Sequence, residues 1–503
     1  MAVYGIDFGT CNSCIAVAED DGLISIVPSN RNETTLPSVV MFNLLDGGKP
    51  IVGTTARNAF SRPNPRNVVA YAKTEMDNEF TKDEYQISQT ETRKLSTIEP
   101  VACILYELMS HSNHSRETQG LSVSNNAVIT VPAVCSDIQR EKTKIAAELA
   151  GINVLKVITE PAAAAVSYDI HDGEVIMVFD LGGGTLDVSI VQCAENREYS
   201  VLATAGDPEL GGKCWDKVLL QLCYENSNLE FSESLATAKR LIEIEEFKID
   251  LCAAGNLDIS FTGEDGIQRS TPIRLEEFEQ SSQHLIDRAL KVVDRALEGV
   301  QNIKIDRVCL AGGASKMPAI KRNLQQHFPD LLVDYCNPDT AIAKGAAKYA
   351  KSLSVGDENE SISIDERGHA YGIVTRTKDD EDVVENIILK NDVLEITERH
   401  FVRYMPNTSD HLSITIIEND IAQKRFDFCD QKAFFSGDIH FPQKVRVGQK
   451  IEFILSRDAD GIVHLNVACL GKKENFEFAT KVNEISEVIR NNVMRLINKM
   501  KTN

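Results

Sequence analysis

One motif stands in this chain twice, and that repetition limits the possible folds more than any other feature. Gly5-Ile6-Asp7-Phe8-Gly9-Thr10 lies near the N-terminus, and Phe179-Asp180-Leu181-Gly182-Gly183-Gly184-Thr185-Leu186-Asp187 lies in the middle. Each follows a short apolar strand (Val3 to Ile6; Val175 to Phe179) and leads into another (Ile15 to Val17; Val188 to Val191). Both read as strand, tight glycine turn, strand, with an aspartate where the first strand ends. Glycines let backbone N–H groups approach a phosphate closely, because no side chain intervenes. The threonine hydroxyls can donate to phosphate oxygens, and the aspartates can hold a hydrated divalent cation. Alone, either motif is an ordinary hairpin. Repeated in the same Asp–Gly–Thr order, they predict two similar halves clamping a nucleoside triphosphate.

At 503 residues the chain is long enough for two or more domains. A formal net charge of −22 argues against general nucleic-acid binding. No apolar run reaches membrane-spanning length, and neither a signal peptide nor a retention signal is expected. Of the twelve cysteines, Cys11 and Cys14 form the one C-x-x-C pair, but it lies within the first hairpin, with no second pair at metal spacing. Buried free thiols in a reducing cytoplasm are therefore expected, with no metal on cysteine.

Residues 1–200 alternate strands and helices: strand Ala127 to Val131, a helix from about Ser136 to Ala150 stopped by Gly151, strand Val154 to Ile158, then the small-residue helix Ala162 to Tyr168 after Glu160-Pro161. Residues 205–300 read as mostly helical, with one β excursion at Leu257 to Phe261. Val308 to Ala311 is another strand running into Gly312-Gly313, and Asp339 to Tyr349 is a second small-residue helix. An acidic stretch without bulky side chains, Gly356 to Ser361, reads as a linker. Beyond it the pattern is period-two, in Leu412 to Ile416, Lys444 to Val447, Ile451 to Leu455 and Val463 to Val467, with a turn at Asp458 to Gly461. A basic amphipathic helix, about Glu484 to Met500, carries Ile485, Val488, Ile489, Val493, Leu496 and Ile497 on one stripe and is expected to pack on the β domain.

Taken jointly, the two hairpins, Asn126 to Ala133, Ala150 to Leu155 leading into Glu160 to Ala165, Ala205-Gly206-Asp207, Leu210-Gly211-Gly212 and Asn337-Pro338-Asp339 make the chain resemble the Hsp70 (DnaK-like) chaperone family over nearly its whole length. The resemblance implies an α/β, actin-like two-lobed ATPase of duplicated halves (1–355), a linker (356–366), an all-β sandwich that binds extended apolar peptides (367–480), and a short helix (481–503) where the family has a larger helical lid. Bound peptide would then exchange fast. It also implies ATP/ADP and Mg²⁺ as cofactors, and unfolded peptide segments as partners of a cytoplasmic monomer. A J-domain co-chaperone and a nucleotide-exchange factor would complete the set.

Residue by residue, Lys73 matches the lysine near the terminal phosphate and attacking water, where an ammonium offsets developing charge. Asp7, Glu160 and Asp180 match carboxylates around magnesium and water, with Asp187 nearby; Asp7 and Asp180 would hold the metal through water. Gly9, Thr10, Cys11, Gly182, Gly183, Gly184 and Thr185 match the phosphate loops. Glu245 and Lys248 match the ribose side, Gly312 and Gly313 the floor under the base, and Asp339 the closing residue. Departures cluster there: Ile249 and Lys316 stand where arginines are usual, Cys252 where a serine is, and Cys11 where a second threonine is. Ile362-Ser363-Ile364-Asp365 takes the place of the apolar linker and could add to the ATPase as an edge strand. Pro132 and Arg140 match positions that relay nucleotide state. Ile373, Leu412 and Ile414 match the peptide pocket, although any sandwich core would show the same residues. A non-enzymatic nucleotide-binding scaffold and a small-molecule kinase of the same duplicated fold are the competing functions.

Overall fold

A computed structural model describes residues 2–501 apart from 30, 62–65, 169, 195–196, 301–302, 336, 355–361, 366–369, 377–381, 390–395, 420–422, 429–432, 458–462, 470–471 and 477–485. The acidic stretch at 356–361 and the turn at 458–461 lie outside the described residues. The chain divides into two compact units: Met1–Cys135, Gln139–Ile364 and Ser486–Asn503 in one, Ser136–Ile138 and Asp365–Ile485 in the other.

The larger unit contains two sheets of the same design. In the first, β1 (Val3–Asp7) is antiparallel to β2 (Asn12–Ala18), which is followed by β3 (Ile24–Ile26); on its other side β1 runs parallel to β4 (Asn126–Val131), itself parallel to β5 (Asn153–Thr159). In the second, β6 (Val175–Leu181) is antiparallel to β7 (Leu186–Ala194), followed by β8 (Glu198–Asp207). On its other side β6 is parallel to β9 (Arg307–Ala311), itself parallel to β10 (Leu332–Tyr335). The order 5-4-1-2-3 is thus reproduced as 10-9-6-7-8. The glycine motifs are the β1–β2 and β6–β7 turns of the two copies. The central strands are mostly apolar up to the aspartates near their ends because both faces are covered, as in parallel sheets.

Each copy ends in a small-residue helix. One is Glu160–Ser167 and the other Ala341–Ser354, and the two pack closely against each other. A Cβ on Gly345 would lie 1.7 Å from the Ala163 carbonyl oxygen, and one on Gly5 would lie 2.1 Å from the Ala347 amide nitrogen. Alanine and glycine are needed there because the two backbones almost touch.

Between β8 and β9 the chain is less helical than its sequence pattern suggests. Asn256–Thr262 pairs with a second strand, Gln268–Arg274, around a turn at Gly266. That strand has few apolar residues and contains Pro272, which a two-stranded ribbon tolerates because the amide it lacks can face solvent. The expected edge-strand addition of the linker is present: β11 (Ser363–Asp365) lies beside β8 at the sheet border, with Ile362 buried and Ile364 packed on the same core.

The smaller unit is a pair of antiparallel sheets. Ala370–Arg376, Asp382–Ile388, Ser409–Asn419, Arg425–Asp427 and Ala433–Val445 form one; Ile396–Tyr404, Lys450–Arg457, Val463–Cys469 and Lys472–Phe476 form the other. Side chains of both sheets close one apolar core. The final helix, Glu487–Lys501, does not take the seat expected of it. Ile489, Val493, Leu496 and Ile497 are buried as it packs on the long helix Ile98–Thr118 and the strand Lys49–Val52 of the larger unit. Arg495 pairs with Glu91 at 2.7 Å, and the Lys499 ammonium donates to the Gly47 carbonyl. Val488, placed on the apolar stripe from the sequence, is exposed. The stripe told that one face is buried, but not what covers it.

Candidate active site

Where the two glycine turns face each other, a cleft of about 440 Å³ opens. Asp7, Gly9, Thr10 and Cys11 line it from the first turn, and Asp180, Gly182, Gly183 and Thr185 from the second. Lys73, Glu160, Glu245, Lys248, Cys252, Gly312, Gly313, Lys316 and Asp339 complete the residues anticipated from the sequence. Gly184 is not on the wall; it is packed behind, where a Cβ would meet the Thr10 side chain at 3.0 Å. Gly183 faces Cys11 so closely that a Cβ would lie 2.2 Å from its sulphur. Burial pushes the Cys11 thiol up, so it is not a thiolate.

The turns are held from behind. Gly182 donates to Thr185 O at 3.0 Å, while Gly212 and Lys213 at the start of the helix Gly212–Asn226 donate to Gly182 O and Gly183 O. In the first turn, Ser13 accepts from Gly9 N and Ser38 donates to Gly9 O. Such bracing fixes backbone amides without using the side chains that face the cleft.

The electrostatics are unbalanced. Lys73 sits on a one-turn 3₁₀ helix, Ala72–Glu75, entered through a left-handed Tyr71 (φ 59°). Its ammonium lies 2.5 Å from Glu160 Oε1 and donates to Phe8 O. Burial opposes its charge, but Glu160 and Asp7 outweigh that and hold its pKa above the usual lysine value. Against this one cation stand Asp7, Glu160, Asp180 and Asp187. Burial, reinforced by Glu160, raises the Asp7 and Asp187 carboxyls to about 7 each, and pushes Asp180 well above the carboxylate range. Asp187 accepts from Val134 N through one oxygen, but its other oxygen, like Asp180 Oδ2, is buried with no hydrogen-bond partner. Leaving such an oxygen unpaired costs on the order of 1–3 kcal/mol, more if it is charged, unless a ligand meets it. These groups suit a hydrated cation. Among the described residues, no three acidic, histidine or cysteine side chains converge closely enough to ligate a metal directly.

The other end is different. Lys248 is committed to Asp216, 2.7 Å away, and to Gly212 O at 3.2 Å. Glu245 pairs with Arg57 at 3.0 Å, and Lys316 pairs with Asp339. Asp216 and Arg57 were not anticipated; their partners are distant in sequence, and no local pattern marks either residue. Gly312 adopts φ 76° and passes so close to the second turn that a Cβ would meet Asp180 Oδ1 at 2.4 Å. Ile249 is exposed, and Cys252 is half-buried.

Of the residues matched to a peptide pocket, Ile373 and Ile414 are buried in the core of the smaller unit and Leu412 is partly buried beside them. Only Leu412 retains appreciable surface.

Comparison with known proteins agrees with this architecture. The family model described as Hsp70 protein matches residues 3–503. The chain is similar to the chaperone protein DnaK of Mycoplasmopsis agalactiae (strain NCTC 10123 / CIP 59.7 / PG2), at 32% identity over 83% of this chain and 69% of that protein. It is likewise similar, at 27% identity, to the DnaK of Mycoplasmoides gallisepticum (strain R(low / passage 15 / clone 2)), over 100% of this chain and 84% of the relative. The DnaK of Stenotrophomonas maltophilia (strain R551-3) is 27% identical over 98% of this chain and 80% of its own. With duplicated sheets, a paired glycine cleft and a match spanning the chain, this protein belongs to the Hsp70 family.

Proposed function

We propose that the chain is an ATP-driven chaperone: an actin-like two-lobed ATPase (1–355) that hydrolyses ATP in the cleft and thereby controls how a β-sandwich (367–480) holds extended apolar segments of unfolded proteins. The observation that carries this reading is the pair of facing glycine turns around Lys73, Asp7, Glu160 and Asp180, with Asp187 behind them, where Asp180 and Asp187 each keep an unsatisfied buried oxygen. Asp7 and Asp180 would hold Mg²⁺ through water, and bound Mg²⁺ would neutralise phosphate charge. Thr10, Thr185 and the turn amides bind the phosphates. Lys73 places a fixed positive charge beside the terminal phosphate, where charge builds during transfer. In this reading Glu160, held by Lys73, accepts from and orients the attacking water, with Asp187, held by Val134 N, supporting it from behind.

Coupling to peptide needs two states with different peptide affinity. The strand Ser363–Asp365, seated at the border of the second sheet, is the element that supports such a link. The apolar stripe of the closing helix is engaged with Ile98–Thr118, so fast peptide release is proposed, since affinity differences fall mostly on off-rates. A J-domain co-chaperone and a nucleotide-exchange factor are the proposed partners, and the cytoplasm the proposed location. Among the described residues no helix is long and apolar enough to cross a membrane.

The polar commitments at the Lys248–Lys316 end favour a second reading, a nucleotide-binding scaffold with little turnover. Single-turnover hydrolysis by the wild type and Lys73→Ala, with and without an apolar peptide, separates the two. The chaperone reading expects a large loss in the variant and a response to peptide; equal rates would sink it.

A further inference from the structure

The wall of the cleft beyond Lys248 is built by Ile249, Cys252 and Ala253 at the end of the helix Ala238–Ala254, and by Lys316, Met317 and Pro318 after Gly313. Four of these six side chains are hydrocarbon or thioether, and Cys252 adds a weakly polar thiol. The hydroxyl of Ser315, next to Lys316 in the chain, is fully buried and donates to the Gly312 carbonyl at 2.6 Å. Deeper in, Lys248 is tied to Asp216, and Glu245 to Arg57. The remaining charged groups are Lys316 and Asp339, which pair with each other and are 49% and 40% exposed at the side chain.

A site rejects a near-isostere strongly only when it hydrogen-bonds the distinguishing group: such sites reach about 10⁴–10⁵-fold, whereas an apolar pocket separates ligands of similar outline by about 10²-fold or less. Adenine and guanine have similar outlines and differ at the edge, where one carries an amino group and the other a carbonyl and an added amino. An exposed ion pair contributes only about 0–1 kcal/mol, so Lys316 and Asp339 can exchange partners at little cost. We infer that this cleft takes purine nucleotides without choosing between adenine and guanine. Asp339 accepts from the adenine amino group, and Lys316 donates to the guanine carbonyl. The inference rests on the nucleotide-binding reading above and adds the base to it.

The test is calorimetric titration of the full chain with Mg²⁺ and ADP, GDP or UDP. ADP and GDP are expected to bind within about tenfold of each other, and a ratio above about 10²-fold in favour of ADP would overturn the inference, since a gap beyond that needs an edge-reading contact. Asp339→Ala should weaken ADP more than GDP, and Lys316→Ala should do the reverse; shifts in one common direction would remove the pair from the role given to it. Failure of both ADP and GDP to bind would bring down the nucleotide reading itself, whereas ADP bound and GDP excluded would overturn only the choice of base.

Discussion

The two ends of the cleft follow opposite designs. Around the glycine turns, four carboxylates share one lysine, and two buried oxygens have no partner. Around the helix Ala238–Ala254, Lys248, Glu245 and Lys316 each already have an oppositely charged partner. Unbalanced negative charge at one end describes a ligand that must supply positive charge; paired charges at the other describe one that is tolerated. Binding energy and chemistry should therefore both concentrate at the turns.

The sharpest way to break that contrast is Lys73→Ala. Removing a charge positioned at the reacting phosphate should lower single-turnover hydrolysis by about 10²–10³-fold, measured by quenched-flow product formation. Next comes Gly312→Ala, which joins the ends. A β-carbon there meets Leu181 O and Asp180 Oδ1 at 2.4 Å in a left-handed backbone, so about 1–3 kcal/mol of strain is expected. Thermal denaturation and ADP titration should both report it; wild-type behaviour in each would mean that the floor yields freely.

The third is a pH dependence. Burial raises the Asp7 and Asp187 carboxyls to about 7 in the ligand-free fold. A carboxyl that holds its proton longer folded than unfolded makes the native state bind more protons between its two pKa values, so stability falls as pH rises. Denaturant midpoints of metal-free protein should therefore fall between about pH 4 and pH 7 from these two groups, and Mg²⁺ with ADP should flatten the trend. A midpoint that rises by the same amount with and without Mg²⁺–ADP would contradict the imbalance. The smallest effect belongs to Lys316→Met: an exposed pair of about 0–1 kcal/mol limits the change in ADP affinity to about fivefold or less.

Much of the phosphate end was legible in the sequence because its determinants are local. An aspartate, glycines and a threonine within one turn define each hairpin, and their repetition pointed to duplicated sheets. The pairings of Asp216 with Lys248 and Arg57 with Glu245 were not legible, since they join residues 32 and 188 positions apart that mark no pattern of their own. The ribbon strand Gln268–Arg274 escaped notice because its solvent face is polar and a proline interrupts it. The closing helix showed its buried stripe but not the helix that receives it. Ile373 and Ile414 illustrate the same ambiguity in a sandwich, where an apolar inward residue is core or ligand contact depending on what remains uncovered.

Where the helices Glu160–Ser167 and Ala341–Ser354 cross, peptide groups rather than side chains set the spacing. No flexible rotamer is available there to absorb a change in thickness. A single added methyl at Gly345 would act as a shim, prying the duplicated halves apart and altering the gap across which their opposed loops must meet.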